Sequence, residues 1–114
     1  MKFKHSVQDD IVVLNLSGKI MGGPDYEKFH GEIKNLLKQG HRKYLLDLSG
    51  VDWINSTGIG ILVSGYHSIK AAEGVMVICG ANKRVRGIYY VSQLDKIFDS
   101  HETTAEALAA LAGN

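Results

Sequence analysis

The chain has 114 residues, 45% of them hydrophobic and 22% charged, with a formal net charge of +1. That length suits one domain with a real core, and so even a charge balance gives no overall field to recruit nucleic acid or a membrane. The single cysteine excludes an internal disulfide. The polar opening "MKFKHSVQDD" is no signal peptide, and no apolar run reaches the roughly 18 residues of a membrane span, so direct membrane insertion is not expected and a cytoplasmic location is.

In chain order, "FKHSV" reads as an edge strand and "QDD" as a turn. "IVVLNLSG" (11–18) is a β-branched strand closed by Gly18. "GKIMGG" (18–23) has glycines and a lysine, but not in the order or spacing of a phosphate loop, and reads as a connection. After Pro24, Tyr26, Phe29, Ile33, Leu36 and Leu37 recur at three and four, which predicts a helix over about 24–39 with one buried stripe, ended by Gly40. "KYLLDLSG" (43–50) predicts a strand and "GVDWIN" a loop. A second helix is expected from Ser56 to Gly74, with Ile59, Leu62, Val63, Tyr66 and Ile69 buried and Ile61 off that stripe. "VMVICG" (75–80) is apolar enough for a strand covered on both faces, with Cys79 a small buried side chain. Lys83, Arg84 and Arg86 read as the solvated start of a third helix carrying Val85, Ile88, Tyr89 and Val91. A short strand is expected at "KIFD" (96–99), and an alanine-rich final helix carries Leu108 and Leu111. Strands alternating with helices, with no linker or repeat, predict one α/β domain over 1–114: a mixed sheet of about four to five strands with about four helices.

Few residues suggest catalysis. The five histidines are dispersed, with no metal-ligand spacing, and His30 and His67 are expected on solvent faces. No nucleophile elbow occurs. The G-x-G of "STGIG" lacks the third glycine of a dinucleotide site, where Leu62 stands instead. The expectation is no enzyme, no metal and no cofactor. "VDWINSTGIGILV" is the more informative stretch. Ser56 or Asn55 suits a helix N-cap, worth about 1 kcal/mol over alanine. Capping does not account for Gly58 and Gly60, each costing up to ~1 kcal/mol in a helix. Bare backbone there, a hydroxyl and an expected exposed Ile61 describe a docking spot. A phosphate on Ser56 would meet free N–H groups and the positive end of the helix dipole, so it should change binding rather than unfold the domain.

"YLLDLSGVDWINSTGIGILVSGYHSIKAAEGVMVICG", with the earlier "LNLSGKI" and the later "LDKIFDSHETTAEAL", resembles the STAS domain family, in particular the bacterial anti-sigma factor antagonists. The resemblance covers nearly the whole chain and implies a small α/β sandwich. It implies phosphorylation at Ser56, with Thr57 the weaker candidate, by a GHKL-type serine kinase that is itself the anti-sigma factor. The unphosphorylated protein would bind that kinase, the phosphorylated protein would be released, and a serine phosphatase would reset it. Met21, Gly22, Asn55, Ser56, Thr57, Gly58, Ile59 and Ile61 are the expected partner-binding residues. Two positions depart from the family pattern: Asn55 and Met21 stand where acids are usual, which makes the rim more apolar. The alternatives are a constitutive STAS adaptor in a transport or signalling complex, without a phosphate cycle, and a nucleotide-binding domain or enzyme.

Overall fold

The computed structural model describes residues 1–91 and 99–113, those of 88–91 by their backbone alone. The elements are β1 (Lys2–Gln8), β2 (Ile11–Ile20), α1 (Asp25–Lys38), β3 (Lys43–Ile54), α2 (Ser56–Ala71), β4 (Val75–Cys79), α3 (Lys83–Val91), β5 (Asp99–His101) and α4 (Thr104–Ala112). Their order is the expected one. The five strands form one sheet in the order β1-β2-β3-β4-β5, with β1 antiparallel to β2 and the other pairs parallel.

This order dictates the layers. Strands β2 to β5 advance across the sheet in one direction, so right-handed crossovers deliver their helices to a single face. On that face Val12, Leu14, Leu16, Tyr44, Leu46, Leu48, Met76 and Ile78 pack against Phe29, Ile33 and Leu36 of α1, Ile59, Ile61, Leu62 and Ile69 of α2, and Val85 of α3. Among the described residues the opposite face receives the terminal helix alone: Ile11, Val13, Leu45, Val77 and Cys79 meet Ala107 and Leu111 of α4. Period-two alternation therefore sends the side chains of Ile11–Leu14, Tyr44–Leu46 and Met76–Cys79 into one core or the other in turn, which is why "IVVL" and "VMVIC" read as unbroken apolar runs. Burial pushes the Cys79 thiol up, so it stays protonated and inert beside Thr104.

Several boundaries and exposures differ from the sequence reading. "VDWI" is not a loop: β3 continues through Ile54, its register with β2 kept past irregularities between Asn15 and Ser17 and between Gly18 and Lys19. Helix α2 ends at Ala71 rather than at Gly74, because Glu73 takes a left-handed φ of 64° and Gly74 N–H closes back on the Ile69 carbonyl at 2.8 Å. Of the "KIFD" strand, 96–98 lie outside the described residues, and β5 begins at Asp99. The side chains of Ile88, Tyr89 and Val91 likewise lie outside them. His30 is not fully on a solvent face; it is half-buried and stacks on Tyr26, with ring centroids 5.4 Å apart. No described helix is long and apolar enough to cross a membrane.

Candidate functional site

Parallel β2 and β3 end level with each other, Ile20 opposite Ile54, and their following loops meet at the carboxyl edge of the sheet. This is the edge where open α/β sheets present their loops and functional groups. Asn55 is the junction. Its backbone N–H donates to the Ile20 carbonyl at 3.3 Å, its φ of −103° and ψ of −178° are extended, and its Oδ1 accepts from the Gly58 N–H at 2.8 Å. Asn55, not Ser56, is therefore the N-cap of α2. Its other side-chain atom is used as well: Nδ2 donates to the Met21 carbonyl at 3.4 Å, tying the β2–α1 loop to the helix start. A carboxylate at this position could accept from Gly58 but could not donate to Met21.

Two glycines set how closely these parts approach. A Cβ on Gly58 would lie 2.0 Å from the Ile20 carbonyl oxygen and 2.8 Å from Ile54 Cγ1, so only glycine lets α2 start directly on the strand ends. Gly22 has φ +105°, and a Cβ there would lie 2.7 Å from the Thr57 methyl. Further along, a Cβ on Gly65 would lie 2.5 Å from the Phe29 ring. With Gly22 beside Thr57 and Phe29 beside Gly65, α1 and α2 run side by side in the same sense. The first turn of α2 holds no acid, and Ser56 is its exposed first residue. With the cap supplied by Asn55, the Ser56 hydroxyl has no hydrogen-bond partner among the described residues. It stands at the positive end of a 16-residue helix.

The STAS domain model matches residues 2–107. The chain belongs to the STAS domain family. It is 28% identical over 113 residues to a Thermotoga neapolitana protein that carries the name of an anti-sigma factor antagonist, covering 97% of this chain and 98% of that one. A crystal structure of a Thermotoga maritima protein of the same description superposes with a TM-score of 0.81 at 26% identity, over 96% of this chain and 94% of that chain. The Bacillus protein SpoIIAA in its unphosphorylated form shares the fold, with a TM-score of 0.76 at 17% identity over 99% of this chain and all of that one.

Within this STAS domain the eight residues expected at the partner surface divide into two groups. Met21 is 49% exposed, Ser56 and Thr57 are exposed, and Gly22 and Asn55 are half-buried, all at one corner. Gly58, Ile59 and Ile61 are interior, which corrects the expectation that Gly58 bares backbone to a partner and that Ile61 is exposed. The reason is that α2 packs on the sheet and on α1 at once, so its buried sector is wider than one stripe. These three build the platform beneath the surface. Gly60 does face open space. Tyr26 is the converse case. Periodicity puts it in the buried stripe, yet it is 44% exposed, stacked on the His30 ring, while Asp25 takes the buried position of that turn. It lies one turn before Phe29, hence abreast of the Thr57–Gly65 stretch of α2. Its place in the first turn of the helix, two residues after Pro24, was the available signal.

Proposed function

We propose that this STAS domain is an anti-sigma factor antagonist. In its unphosphorylated form it binds a GHKL-type serine kinase that acts as the anti-sigma factor, at the corner formed by Met21, Gly22, Asn55, Ser56 and Thr57. Phosphorylation of Ser56 releases that partner and a serine phosphatase restores binding. The chain is then the kinase's substrate and not itself a catalyst. The observation that carries the reading is the uncommitted, exposed hydroxyl of Ser56 on a helix start already capped by Asn55. Modifying it disturbs no contact of the fold, and the dipole end of α2 accommodates the added charge. The same geometry favours Ser56 over Thr57, whose methyl group is held against Gly22. The exposed Met21 side chain, whose backbone carbonyl is tied to Asn55, supplies apolar contact area for a protein partner.

The test is incubation with ATP and the serine-kinase anti-sigma factors of the source genome, followed by mapping of the phosphate by mass spectrometry. Phosphate is expected on Ser56. Ser56→Ala should stay bound to the kinase, and Ser56→Asp should bind at least about tenfold more weakly, as a like-charge or desolvation penalty of a few kcal/mol requires. Phosphate placed elsewhere, with Ser56→Ala still released normally, would sink the proposal.

A further inference from the structure

Close to Ser56 the carboxyl edge carries a second feature that the phosphate site does not use. Trp53, the chain's only tryptophan, belongs to neither core cluster and is partly exposed near the end of β3. Its cross-strand partner on β2 is Lys19, which is exposed. The guanidinium of Arg84 lies 5.6 Å from the Trp53 ring centroid, within cation–π range. Lys83 adjoins Arg84 at the start of α3 and is also exposed. This start is held firmly to β3: Asn82 Nδ2 donates to the Val51 carbonyl at 3.1 Å, its Oδ1 accepts from the Val85 N–H at 2.8 Å, and Val85 is fully buried. Among the described residues none of the three cations has an ion-pair partner. Asp52 is the one carboxylate in the adjoining stretch of β3.

From this we infer that Lys19, Trp53, Lys83 and Arg84 form a second contact area for the partner, and that the partner presents an acidic surface to it. An aromatic ring fixed between cations outside the core has no packing role to explain it, whereas tryptophan and arginine are the residue types that anchor interfaces. Unpaired surface cations in excess favour carboxylates, and arginine pairs with them through two parallel hydrogen bonds. The inference rests on the proposed function for the identity of the partner and adds how release works. Ser56 follows Trp53 by three residues, a Cα separation of at most about 11 Å along extended chain. That is roughly one Debye length at 0.1 M salt. A phosphate there brings a charge of about −1.5 to −2, enough to cancel the local cation excess and to repel the partner's carboxylates. Release is then electrostatic as well as steric.

The experiment titrates the full unphosphorylated chain with the kinase that modifies Ser56, at about 50 and 300 mM NaCl, following Trp53 emission and heat of binding. The patch variant is Lys19→Glu with Arg84→Glu. The control is Lys34→Glu with Lys38→Glu, which makes the same charge change on exposed positions of α1. A neutral pair, Lys19→Gln with Arg84→Gln, guards against a folding defect, and melting temperatures are compared throughout. Wild-type affinity is expected to fall about tenfold between the two salt concentrations, and the patch variant to bind about thirtyfold more weakly at low salt with little salt dependence, as complementary charges across an interface require. The neutral pair should fall between wild type and the patch variant, and the control within about threefold of wild type. Equal affinities for the patch and control variants, or a wild-type affinity indifferent to salt, would overturn the inference while leaving the proposed function standing. If none of the kinases binds or modifies the wild-type chain, the functional reading fails and this inference falls with it.

Discussion

Helices α2 and α4 begin with the same local device and serve different ends. Asn55 caps α2 by accepting from the Gly58 N–H at 2.8 Å, and Thr103 caps α4 by accepting from the Glu106 N–H at 3.1 Å. Around Thr103 the cap itself is local, with Glu106 supplying an acid to the first turn and exposed on the outside, although the Thr104 hydroxyl meets Cys79 Sγ at 3.7 Å. Around Asn55 the start is built into its neighbours: two bonds reach back to β2 and its following loop, Gly58 rests against the Ile20 carbonyl, and no acid occupies the first turn. A cap that merely ends a helix needs only local chemistry. A helix start that is also built onto the strand ends and displays an exposed hydroxyl needs a platform, and the platform shows itself as glycine where side chains have no room.

The largest effects should separate the two starts at Gly58. Gly58→Ala is expected to cost about 3 kcal/mol or more, since the Cβ would force the strand end and the helix apart. The matching change in α4, Glu106→Ala, should cost no more than about 1 kcal/mol, the upper end for an exposed first-turn acid. Gly60→Ala, only two residues from Gly58, should stabilise by about 0.5–1 kcal/mol because its Cβ meets open space in a helix. Chemical denaturation of the three variants checks all of this, and equal costs at Gly58 and Gly60 would remove the platform argument.

Next in size are the caps. Thr103→Ala should lose about 1 kcal/mol, and Asn55→Ala up to about 2 kcal/mol, because it also frees the Met21 carbonyl. Asn55→Asp isolates that second bond. It keeps the cap and gains from the helix dipole, so stability should stay within about 1 kcal/mol of wild type. Amide exchange across Met21–Asp25 should nevertheless quicken several-fold, as the loop loses its donor. An unchanged loop would show that the tie to Met21 does not hold it.

The smallest effect is the one the functional reading most needs. Ser56→Asp should raise stability by no more than about 0.3–1 kcal/mol, because an exposed anion is favoured by that amount at a helix N-terminus and here displaces no bond. A loss above about 1 kcal/mol in thermal unfolding would mean that Ser56 is structural after all.

How much of this was legible beforehand follows from which forces act locally. Phe29, Ile33 and Leu36 read correctly as a buried stripe because they are the residues that α1 turns toward the core it shares with the sheet and α2. Tyr26 misled by obeying the same period in a first turn whose buried position is taken by Asp25 instead. Ile61 misled in the opposite way, since a helix wedged between a sheet and another helix buries more than a stripe. At the site, "NSTGIG" announced a capped helix start rich in small residues. Which residue capped, and which glycine was forced, depended on the Ile20 carbonyl, thirty-eight positions before Gly58 in the chain.

The sequence by itself determined the order of strands and helices, the single α/β layer plan and the place of Ser56 at a helix start. These follow from hydrophobic period, turn residues and cap chemistry, all of which act over a few neighbours. Only the tertiary structure decided that Asn55 does the capping, that Gly58, Ile59 and Ile61 lie beneath the surface, and that Lys19, Trp53 and Arg84 come together near the end of β3. Those outcomes depend on strand register and helix packing, which join residues far apart in the chain through contacts that no local pattern encodes.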